Sequence, residues 1–212
     1  MGGRIVPLAK ELAAGVPYSE PVRQGGRMPR NSVTVGRTTA NAEGEVVVLL
    51  IGMRINRFRA VRHWLPVMLA MQRMLRELGR DRSLGLLGHV LLTASPRTYY
   101  VVQYWESKEK LYAYAHSPRM LHHKVWAALN RKQRAGKARG HVGIWHEAYV
   151  VPEGAYEAVY ADMPAFGLAA AHGRIPVERR GQRAKDRFAH RSGAGAGATG
   201  APEAEGAGAA TG

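Results

Sequence analysis

Tyr99-Tyr-Val-Val-Gln-Tyr-Trp105, followed at once by Glu106-Ser-Lys-Glu-Lys-Leu-Tyr-Ala-Tyr-Ala115, decides how this chain folds. The first run is rich in aromatic and β-branched side chains and predicts a buried strand. Ser107 stands just before a series of good helix formers, where its hydroxyl caps the first turn. Ser117-Pro118 then opens a second helix that carries His122, His123 and Trp126. A strand that passes directly into a helix, with a histidine one short helix later, predicts a pocket between sheet and helices. That setting suits a small-molecule site better than a nucleic-acid groove.

Working outward, Val46-Val-Val-Leu-Leu-Ile51 is continuously apolar, so both faces of this strand are expected to be covered. It runs on through Gly52-Met53 to Arg54. Trp64, Met68, Met71, Leu75 and Leu78 repeat at helical spacing, with Gly79 as the expected stop. Leu84–Thr93 reads as a second strand, and Ser95-Pro96-Arg97 as the turn into the third. His141–Val151 is a fourth strand and Ala155–Tyr160 a short terminal one. The order β-α-β-β-α-α-β-β is an α+β, ferredoxin-like unit with an added strand. One helix layer covers only one face of such a sheet. The covered look of the other face predicts a second copy closing sheet to sheet, a homodimer forming a dimeric α+β barrel.

Composition sets the limits. The expected organisation is a flexible basic segment over residues 1–32, a barrel domain over 33–168, and a disordered Gly/Ala/Arg-rich tail over 169–212. There is no cysteine, which excludes disulfides, thiolate metal sites and a thiol nucleophile. A cytoplasmic location is expected. The longest apolar run is far too short for a membrane span. The net charge of +15 invites a nucleic-acid partner. Arginines on solvated helix faces account for it equally well, and the central strand lacks the glycine pattern of an RNA recognition motif. An RNA-binding ferredoxin-like module is therefore the rival reading, with nucleic acid an unlikely partner.

Several segments together resemble one known family. They are Leu50-Ile-Gly-Met-Arg-Ile-Asn56, Trp64-Leu-Pro66, Met74-Leu-Arg-Glu-Leu78, Leu84-Gly-Leu-Leu-Gly88, Val101-Val-Gln-Tyr-Trp105, Val142-Gly-Ile-Trp-His-Glu147 and Met163-Pro-Ala-Phe-Gly-Leu168. This stretch is similar to the monooxygenase-like family of the dimeric α+β barrel superfamily, the family of the fumagillin-biosynthesis monooxygenase. The resemblance implies a small-molecule monooxygenase of secondary metabolism that oxidises an apolar or electron-rich substrate with dioxygen. It implies no cofactor as the first expectation. Haem is the alternative, because haem-degrading enzymes and aldoxime dehydratases of the wider superfamily hold iron through a helix histidine. His122 or His146 would then be the axial ligand. No carboxylate–histidine spacing suggests another metal site.

His146 lies between Ile144 and Ala148 on one strand face, either as a core histidine or as a proton carrier. Its neighbours Trp145 and Glu147 point the other way. His122 shares a helical stripe with Val125 and Trp126 and is expected to face inward. Arg54, at the end of a core strand, is either a rim charge or a clamp for an anion. His146, Arg54 and His122 are the candidate catalytic residues, with His146 and Arg54 expected in one pocket. Gln103, Tyr104, Trp105 and Trp145 are the candidate substrate contacts, Gln103 being a polar spot on an apolar face.

Overall fold

The computed structural model describes residues 32–136 and 140–190. The expected basic N-terminal segment, apart from Ser32, and the tail beyond His190 lie outside the described residues.

The elements run β1 (Thr34–Ala40), β2 (Val46–Ile55), α1 (Val61–Arg80), β3 (Leu86–Ser95), β4 (Thr98–Trp105), α2 (Lys108–His116), α3 (Leu121–Arg134) and β5 (Val142–Val151). They continue with β6 (Tyr160–Met163), α4 (Gly167–His172), β7 (Arg174–Pro176) and α5 (Ala184–Ala189). The main sheet is antiparallel with order β3-β4-β2-β5, and a smaller sheet has order β6-β1-β7. The fold is α+β, and the four-stranded order is ferredoxin-like.

Period-two alternation assigns the two faces of the main sheet. Val47, Met53 and Ile55 of β2 face the helices. Val47 packs with Trp105, Leu78, Leu111 and Tyr114, while Met53 and Ile55 pack with Trp64, Val67 and Met68. Val46 and Val48 face the other way. The ladder places Ile51 beside Val101 on one side and His146 on the other, so these three share the helix side.

Local chemistry sets the boundaries. Ser107 Oγ accepts the Lys110 N–H at 3.2 Å and starts α2, as its sequence position predicts. Gly79 does not stop α1, which runs one residue further to Arg80. Asp81 Oδ1 takes the Ser83 N–H at 2.9 Å instead, and Gly85 makes the left-handed turn at φ +91°. At the start of α3, Glu77 of α1 acts as the cap, accepting the Leu121 N–H at 3.2 and 3.3 Å and the Tyr114 hydroxyl at 2.8 Å. One carboxylate thus ties α1, α2 and α3 together and meets the positive end of α3.

Three expectations need correction. Ala155–Tyr160 is not a strand of the main sheet; the strand is Tyr160–Met163, paired with β1 in the smaller sheet. Folded structure does not end at Leu168, because α4, β7 and α5 follow it. Ala169, Val177 and Arg187 are buried there, and Arg187 Nε meets Glu157 Oε2 at 2.7 Å. The tail expected from residue 169 begins inside a helix, Gly167–His172, whose small residues permit close approach. A Cβ on Gly88 of β3 would lie 3.2 Å from Ala171. Finally, the second face of the main sheet is covered in part by this same chain. Leu168 and Ala169 pack with Val46, and Val48 and Tyr104 lie against that cluster. The apolar character of Val46–Val48 therefore does not by itself require a second copy.

Candidate functional site

The helix side of the sheet is not sealed along β5. His146 and Ala148 are exposed, and Val150 is 45 % exposed, although α3 lies on this side. α3 runs antiparallel to α1: its start is held by Glu77 near the end of α1, and His141 beyond its end stacks on His63 at 4.5 Å. Along this open edge His122 of α3 and His146 of β5 are near enough for each to feel the other's charge.

His122 is half-buried. Its Nδ1 lies 3.3 Å from the Ala115 carbonyl, and its ring sits 6.0 Å from that of Tyr114. A carbonyl accepts only, so Nδ1 carries the hydrogen and Nε2 keeps the lone pair. Burial is the main cause that holds the His122 pKa below its ordinary value; the Ala115 bond opposes it, and the charges of His146, His116 and His123 add to it. The ring is neutral at pH 7, with Nε2 ready to accept a proton or ligate a metal.

Burial also lowers the pKa of His172 in α4, whose Nε2 is buried without a partner. Both rings are neutral in folded and unfolded chains well above the ordinary value of 6.5, so neither changes stability there. Below 6.5 the unfolded chain takes up protons first, and the folded state loses stability as the pH falls toward the depressed values. Urea midpoints are expected to fall between about pH 7 and pH 5.5, and His122→Gln should make that fall shallower.

The other candidates separate by face. Gln103 and Trp105 share the helix side with His146 but are buried and bonded to each other, the indole N–H donating to Gln103 Oε1 at 3.0 Å. Gln103 is thus a partner for Trp105, not an open polar spot. Trp105→Phe should lower stability by about 1–3 kcal/mol in chemical denaturation, because the buried amide oxygen loses its donor. Tyr104 and Trp145 point to the opposite face. Tyr104 approaches Gly167 and Tyr160, and Trp145 lies over Gly52, whose Cβ would be 2.7 Å from the indole Nε1. Arg54 is on that opposite face too, exposed, with Nη1 donating to Thr98 Oγ1 at 3.4 Å. Arg54 and His146 therefore do not line one pocket, because their register positions differ by an odd number of residues. Glu147 accepts the Tyr149 hydroxyl at 2.7 Å. Trp126, expected on the inward stripe, is 42 % exposed.

Sequence reasoning missed Glu77, Tyr114 and the Ala115 carbonyl, which together position His122. The only sequence signal was Glu77 as the sole acid of α1. A small cavity of about 10 Å³, one water in size, lies among Thr39, Tyr156, Arg180, Arg187 and His190, away from His122 and His146. Among the described residues no group of three or more His, Cys, Asp or Glu is arranged to hold a metal ion. Nor is any helix among them long and apolar enough to cross a membrane.

The crystal structure of the aldoxime dehydratase OxdRE, in complex with butyraldoxime, aligns with a TM-score of 0.52 at 14% identity, over 66% of this chain and 39% of that one. At that identity the likeness is of fold alone. The curated relative Monooxygenase af470 of Aspergillus fumigatus is 30% identical over 169 residues, covering 74% of this chain and 56% of its own length. The chain therefore spans about half of that relative. Residues 46–168, from β2 into α4, match the family model described as Monooxygenase af470-like. By that match and that identity, the chain belongs to the Monooxygenase af470-like family.

Proposed function

We propose that this protein is a monooxygenase acting on an apolar or electron-rich small molecule of secondary metabolism, with its site in the open space between α3 and β5. The observation that carries the reading is that His122 of a helix and His146 of a strand lie on the same open side of the sheet, near enough for the charge of His146 to act on His122. Family membership supports the reaction class.

In the cofactor-free form, neutral His122 takes a proton from the substrate at Nε2. The resulting imidazolium and an N–H of His146 stabilise the substrate anion. That anion reduces dioxygen; one oxygen atom enters the product and the other leaves as water. Arg54 has no part in this, being on the other face. The test is dioxygen uptake with a panel of acidic, electron-rich phenols and anthrones, without added metal. One dioxygen consumed per product, with one labelled oxygen atom incorporated, supports the proposal; no uptake with any member overturns it.

A second reading is haem-dependent chemistry, favoured by the tautomer of His122. Its Nδ1–H is held by the Ala115 carbonyl and Nε2 is left as a donor, which is how an axial histidine is oriented. His122 would hold the iron, which would supply the redox chemistry, and His146 would stand nearby to move protons. A Soret band in protein purified from haem-sufficient cells supports this reading, and its absence supports the first.

A homodimer is part of the proposal. Tyr100 and Trp145 form an aromatic pair, ring centroids 5.9 Å apart, on the part of the second face beside Gly52. Light scattering is expected to give twice the chain mass; a stable monomer removes this element alone.

A further inference from the structure

Apolar side chains are exposed on the outside of the helix layer. Val61, Leu65 and Leu69 lie four residues apart on α1, with Phe58 just before them. All four are between 37 and 45 % exposed. A spacing of four keeps side chains on one helix face, so the α1 residues form a stripe. α1 is therefore apolar on two sides, one packed on the sheet and one open.

Charge around the stripe has one sign. Arg57, Arg59, Arg62, Arg73, Arg76 and Arg80 are all exposed. The sole acid of α1, Glu77, is turned inward to Tyr114 and Leu121. The Arg97 guanidinium lies 4.4 Å over the Phe58 ring, adding a cation beside the first apolar residue.

Charge decides the occupant. A second copy docked here would set arginines against arginines. A nucleic acid would use the arginines and leave the leucines without a partner. An anionic bilayer uses both, the stripe entering the headgroup boundary and the arginines meeting lipid phosphates. We infer that the outer face of α1 is a peripheral docking surface for anionic phospholipid membranes. An enzyme held there would meet substrates that partition into lipid.

Flotation of the full chain tests this with vesicles of phosphatidylcholine alone and of phosphatidylcholine with phosphatidylglycerol. The chain should float with the anionic vesicles and not the neutral ones. Leu65→Ser with Leu69→Ser keeps the charge and should weaken binding by about tenfold or more. Failure to float with anionic vesicles overturns the inference. So does binding that the leucine pair leaves unchanged and an RNA competitor abolishes, which would make the surface a site for nucleic acid.

Discussion

His146→Gln is expected to lower turnover by about 100- to 10,000-fold, the range for loss of a positioned proton-transfer group. The fold should survive, because His146 is exposed on β5 and its neighbours Ile144 and Ala148 do not enclose it. Its position is not that of a core histidine, whose removal would strand a buried partner. Glutamine keeps the length and a donor but cannot carry the proton. Dioxygen uptake by native and variant protein on the same substrate, with thermal unfolding alongside, separates the outcomes. Full activity in a folded variant would falsify the role given to His146. If the purified protein is coloured, the same substitution also assigns the axial ligand. A Soret band lost in His122→Gln and retained in His146→Gln places iron on α3, where the Ala115 carbonyl already orients the ring.

Truncation after Leu168 is expected to lower the melting temperature by about 10 °C or more. The segment from Ala169 to His190 is not an appendage. Val177 is fully buried, and a fully buried valine is worth about 1.5–3 kcal/mol. Removing α4 beyond Leu168 also uncovers Gly88 and the cluster containing Val46, Val48 and Tyr104. At about 2–4 °C per kcal/mol for a domain of this size, Val177 and the uncovered cluster together reach that drop. Val177→Ala is the matched point variant, expected to lose a smaller part of the same stability without shortening the chain. A truncated protein that melts with the full one would mean that the lobe contributes nothing to the core.

The same two regions show where reading residues succeeds and where it stops. His146, Trp145 and Glu147 were sorted onto faces correctly, because alternation along a strand is a property of the backbone alone. The helix after Trp105 was legible because Ser107 is a cap and caps act within four residues, whereas the second helix starts at Leu121 and not at the expected Ser117-Pro118. Arg54 was misplaced for a related reason: its face depends on counting register across two strands, and only the ladder sets that count. The segment after Leu168 was misread because its composition is that of an unfolded tail. Its small residues are a liability in isolation and an advantage against Gly88 and Tyr104, where close approach is needed.

By itself, the sequence determined the ferredoxin-like order of elements, the alternation of faces within the strand His141–Val151, and the family. These rest on periodicity, capping and motif, all of which act over a few residues. Tertiary structure alone decided that Glu77 anchors the start of α3, that the Ala115 carbonyl fixes the His122 tautomer, and that His146 comes near enough to act on His122 while Arg54 lies on the other face. It also decided that α4 and α5 belong to the folded unit. Each of these depends on groups far apart in the chain, and contacts at such separations are set by how the elements pack, which no local pattern records.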